Sequence, residues 1–174
     1  MFVSRFIRFV GMLNAAVWCG SAVYLVVALP GLFAPDMKQL LGAPGVGFAA
    51  QRMVARFFVL QYWCAGIALA HLVVGWLQEG RPLLRPPLGL VSVLFVLVLA
   101  GGLWVQPKLS ALHRLKYYGA KPEVRAQADK TFRAWHAASQ CANLLVIGGL
   151  LLYLWKMTET PLSPRFGRLS KIQG

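Results

Sequence analysis

The residues best suited to chemistry stand together in FRAWHAASQCANLL, residues 132–145. There His136, Ser139 or Gln140, and Asn143 recur at i, i+3/i+4 and i+7. On a helix this spacing puts an imidazole, a hydroxyl and amides on one face. Such a row can hold a ligand, an ion or a proton, or it can tie helices together by hydrogen bonds. Arg52 and Arg56, four residues apart, share a face of an earlier helix, and Gln106 ends a third apolar run. All are expected at similar depth, so Arg52, Arg56, Gln106, His136, Ser139, Gln140 and Asn143 form the candidate ligand-binding cluster. Cationic donors with no acid beside them suit an anionic group such as a phosphate, a carboxylate or a lipid headgroup. The alternative for the arginines is ordinary snorkelling into the headgroup layer.

No metal or cofactor is specified by the remaining residues. His71 is placed towards the other end of its helix, about 20 Å from His136 by helix rise, which disfavours one haem held between them. His113 falls in a polar connection and is expected to face solvent or headgroups. Cys19, Cys64 and Cys141 are scattered through apolar stretches without a CxxC pair, so they read as small apolar filler. Intramembrane copper capture by cysteine and methionine is the competing reading. All five acids lie outside the apolar stretches, against proton-coupled transport. No complete catalytic constellation is present, and an enzyme is less favoured than an accessory or binding role.

Four apolar stretches must position these residues: Val10 to Phe33, Ala49 to Leu77, Leu88 to Val105 and Ala137 to Trp155. Each meets or approaches the roughly 20 residues needed to cross a bilayer core as a helix. Hydrophobic residues make up 58% of the 174-residue chain and charged residues 13%, leaving no room for a soluble domain. The predicted architecture is all-α: a four-helix transmembrane bundle over residues 1–158, followed by a basic flexible tail at 159–174. The net charge of +13 does not indicate nucleic acid, because the cations cluster at the ends of apolar runs, where they meet anionic headgroups. Membrane lipids, and other membrane subunits, are the expected partners.

Local signals set the boundaries. MFVSRFIRFV begins like a signal peptide, but the apolar run after it is too long for one, so a retained first helix is expected. That helix should end at Leu29-Pro30-Gly31, ahead of a Pro- and Gly-rich connection to Gly47. The second should begin by Phe48, and the third should run out at Gln106-Pro107. Between helices 3 and 4, Leu109, Leu112, Leu115 and Tyr118 follow helical spacing, which predicts an amphipathic segment lying in the headgroup layer. Gly20-Ser21 and Gly101-Gly102 are expected to admit close backbones. Trp76, Trp104, Trp135, Trp155, Tyr117 and Tyr153 are expected as interfacial anchors. Eight cations fall on the side of the termini and ten on the other, so charge counting does not orient the protein. Arg5 and Arg8 before the first helix, with a near-neutral loop after it, favour cytoplasmic termini in a bacterial inner membrane.

The chain resembles the transmembrane protein 205-like family, known in bacteria as domain of unknown function 4149. The resemblance rests on AVWCGSAVY, the Pro30-Gly31-Leu32-Phe33 exit, QPKLSALHRL, and Phe132 followed by His136, Ser139 and Asn143. It covers nearly the whole chain and implies a four-helix membrane protein, with emphasis on Pro107, His136, Ser139 and Asn143. It implies no reaction.

Overall fold

The computed structural model describes residues 2–79 and 85–158, and nearly all of them are helical. The tail at 159–174 lies outside the described residues. Among the described residues, four helices are long and apolar enough to cross a membrane, which makes this a multi-pass membrane protein with an all-α bundle. Helices suit that setting because each satisfies its own backbone where no water is available.

Helix α1 (Phe2–Ala28) runs into a 3₁₀ turn over Leu29–Phe33, with Pro30 in its first turn. The turn closes where the Ala34 N–H donates to the Gly31 carbonyl at 3.2 Å. The expected Pro/Gly connection is itself helical: α2 spans Pro35–Glu79, broken only at Gly42 (φ 69°, ψ 159°). Only glycine adopts that conformation readily, and Pro44 just beyond could not have continued the preceding turn.

The third helix does not run out at Gln106-Pro107. Helix α3 (Arg85–Ala100) passes through a π-helical turn, Gly101–Val105, directly into α4 (Gln106–Tyr118). Pro107 follows directly on the π-helical turn, where the regular α-helical hydrogen-bond ladder is already interrupted. Here Gly101 and Gly102 admit side chains instead of a neighbouring backbone. A Cβ on Gly101 would meet the Phe58 ring at 2.9 Å, and one on Gly102 would meet the Tyr62 hydroxyl at 1.9 Å. Gly20, by contrast, faces open space.

Gly119 ends α4, its N–H donating to the Leu115 carbonyl at 3.0 Å while its own carbonyl accepts from Arg125 Nε at 2.7 Å. Helix α5 (Pro122–Thr158) then returns unbroken. Its 37 residues span about 55 Å, well beyond the ~30 Å of a bilayer core. The amphipathic segment is therefore one arm of an α4/α5 hairpin that extends the bundle, with Leu109, Leu112 and His113 buried. It is not a separate helix lying flat.

The core joins Ala15, Trp18, Cys19 and Ala22 of α1 to Cys64, Ala65 and Ala68 of α2, Val91, Leu94 and Val98 of α3, and Val146, Leu150 and Tyr153 of α5. Small residues dominate the α1–α2 seam, which lets those helices approach. Asn14 Nδ2 donates across that seam to the Cys64 carbonyl at 2.9 Å. Cys19 and Cys64 are buried filler, whereas Cys141 is exposed. Tyr153 is no interfacial anchor: it is wholly buried, edge-on to Trp18 with ring centroids 6.3 Å apart. Trp76, Trp104 and Trp155 are exposed, as are Leu144, Leu145, Leu151 and Leu152 on the outer face of α5.

Candidate functional site

An elongated cavity of about 640 Å³ lies inside the half of the bundle nearest the α4/α5 hairpin. Every helix contributes to its wall. Leu25 comes from α1 and Leu29 from the 3₁₀ turn after it, Val54 and Phe58 from α2, Leu97 and Val98 from α3, and Val146 from α5. Most of the wall is apolar, so the polar groups that interrupt it stand out. Four come from the α5 row: His136, Ser139, Gln140 and Asn143 all line the cavity, as does Gln106 from the start of α4. Its rim falls between the end of α1 and α5, where Val26, Phe33, His136 and Gln140 are exposed.

The α5 row forms no hydrogen bond to another helix among the described residues. Ser139 Oγ donates back to the His136 carbonyl at 2.7 Å, and Gln140 Nε2 lies 3.4 Å from His136 Nε2 on the same helix. Polar ties between helices are made elsewhere. Gln106 Nε2 donates to Ser110 Oγ at 3.2 Å, and Ser110 Oγ donates to Gln51 Oε1 at 3.0 Å, linking α4 to α2.

Arg52 and Arg56 are exposed and do not line the cavity. The Arg52 guanidinium lies over the Phe48 ring, 5.7 Å from its centroid. Helix rotation explains the separation. Gln51, Val54, Phe58 and Gln61 occupy the inward face of α2 at i, i+3, i+7 and i+10, and each arginine is rotated about 100° or more from it.

Five further polar residues line the cavity beside the candidate cluster: Gln51, Gln61, His113, Lys116 and Tyr117. Gln61 interrupts the apolar run of α2, which was a readable signal. His113 does not face solvent. It is buried beside Gly47, where an added Cβ would come within 1.9 Å of its Nε2. Its ring packs between Tyr117, 4.9 Å away, and Phe132, 6.1 Å away, and Phe132 stacks at 6° on His136. Leu109, Leu112, His113 and Lys116 share one face at i, i+3, i+4 and i+7, so the periodicity that marked the leucines also included the histidine.

Among the described residues Lys116 is the one charged side chain lining the cavity, and it is already paired: Nζ lies 2.6 Å from Asp129 Oδ1. Arg133 Nη2 contacts the other carboxylate oxygen at 2.6 Å. Asp129 precedes the apolar stretch of α5, and its hydrogen bonds with Lys116 and then Arg133 hold its carboxyl below the usual aspartate range. At the inner end, Trp18 Nε1 donates to Gln61 Oε1. Among the described residues there is no cluster of three or more histidine, cysteine or acidic side chains able to hold a metal ion.

The sequence profile of a domain of unknown function, DUF4149, matches residues 13–117, from within α1 to the last turn of α4. No curated protein and no solved structure matches the chain.

Proposed function

The chain belongs to the DUF4149 family, and on that premise we propose that it is a membrane protein that binds a small amphipathic molecule within its bundle. One observation carries this reading: a cavity of about 640 Å³ whose His136–Asn143 row has no hydrogen-bonding partner on another helix. A row serving only as interhelical glue would spend those groups on neighbouring helices. An apolar wall with a few convergent polar groups is the usual character of a small-molecule site. The anionic ligand suggested by Arg52 and Arg56 is less well supported, because neither guanidinium reaches the cavity. A purely accessory, packing role leaves the cavity unexplained.

The proposal places the protein in a bacterial inner membrane with cytoplasmic termini, supported by Arg5 and Arg8 in the first turns of α1 and by the sparse charge of residues 34–47. Reporter fusions at the termini and at Ala120 test that orientation, and a cytoplasmic signal from Ala120 would reverse it.

Native mass spectrometry of protein released from mild detergent tests binding. The wild type should carry a small-molecule adduct that the double variant His136→Leu, Asn143→Leu loses while keeping its thermal stability. Equal adducts on both proteins, or none on either, would sink the proposal.

A further inference from the structure

Gln61 is 1% exposed, lines the cavity, and its Nε2 has no hydrogen-bond partner. Its orientation is set chemically. Trp18 Nε1–H is solely a donor, so the Gln61 atom facing it must be the carbonyl oxygen, which leaves the amide hydrogens for another acceptor. A buried amide donor left unpaired is costly, and native proteins rarely tolerate one. None of the described lining residues offers a free charge, because the Lys116 ammonium is held by Asp129. The occupant must therefore be uncharged, mostly apolar, and able to present an acceptor deep in the bundle.

Position adds length to that description. Gly47 packs beside His113 at the hairpin end, and Gln61 lies 14 residues further along α2, about 21 Å by helix rise. The cavity's exposed lining residues Val26, Phe33, His136 and Gln140 fall at the end of α1, in the 3₁₀ turn and on α5, and both helices also carry exposed apolar side chains such as Val27 and Leu144.

Resting on the binding role proposed above, we infer that the cavity takes a neutral, elongated lipid-like molecule whose carbonyl or ester oxygen accepts a hydrogen bond from Gln61 Nε2. The polar row of α5 lies along its path, and entry is from the bilayer.

The test uses the full chain in detergent, labelled with ¹⁵N-glutamine, with each side-chain amide signal assigned by its loss on single substitution. Methyl oleate is titrated against octadecene, which has the same apolar length and no oxygen. The expected result is a saturable downfield shift at Gln61 with methyl oleate only, while Gln127, exposed on the hairpin, does not move. In Gln61→Met the affinity for methyl oleate should fall about tenfold, the usual worth of one hydrogen bond, with octadecene binding unchanged. If both probes shift Gln51, Gln106 and Gln140 but neither distinguishes Gln61, the assignment to Gln61 falls while cavity binding stands. If neither probe moves any cavity amide more than Gln127, both readings fall together.

Discussion

At the scale of single residues, the cavity depends on contacts that leave little slack. Gly47 has no Cβ because the His113 ring occupies that space, so Gly47→Ala should displace the imidazole and destabilise the bundle by about 1–3 kcal/mol. Thermal unfolding in detergent measures this, and adding His113→Ala should recover part of the loss. An additive double variant would show that the two positions are not coupled. Trp18→Phe should cost about 1–3 kcal/mol by leaving the Gln61 carbonyl buried and unpaired. A melting temperature equal to wild type would show that Gln61 finds another donor. The inward orientation of the α5 row follows from its four-residue spacing and from the penalty on polar groups in lipid. The separation of Arg52 from that row could not be read the same way, since it depends on which face α2 turns inward. The placement of Gln51 and Gln61 reveals that rotation, and of the two Gln61 interrupts the apolar run of α2.

At the scale of elements, two local departures from the α-helix shape the bundle. Gly42 lies where side chains are not accommodated, so Gly42→Ala should cost about 1–3 kcal/mol, measurable as a lowered unfolding midpoint. An unchanged midpoint would mean the break relaxes easily. The π-helical turn at Gly101–Val105 seats Phe58 and Tyr62 against its glycines, and Gly102→Ala should destabilise more than Gly20→Ala, which enters open space. The four spans were legible because hydrophobic length alone specifies them. The prolines do not end the helices: Pro30, Pro44 and Pro107 each stand at a local departure from the α-helix (the 3₁₀ turn, the break at Gly42 and the π turn), where the regular hydrogen-bond ladder is already interrupted. The π turn has no comparable signature in a single sequence, since two glycines fit equally well in a tightly packed α-helix.

At the scale of the whole molecule, α5 joins the apolar core to a charged hairpin in one unbroken rod, and Asp129 gathers Lys116 from α4 and Arg133 from α5. Because pairing lowers its folded-state pKa, Asp129 adds stability above the ordinary aspartate pKa of about 3.9. That stability disappears as the pH falls through the lower folded value. The difference in melting temperature between wild type and Asp129→Asn should be constant above about pH 5 and shrink under acid. A gap that widens in acid would reverse the assignment. The π-helical turn has a last, geometric consequence: its wider coil takes up one residue more than an α turn. Deleting one amino acid there should restore an ordinary α turn and keep His113 and Lys116 on the inward face, whereas adding one would rotate everything downstream by roughly 100°. That joint should tolerate a residue fewer more readily than a residue more.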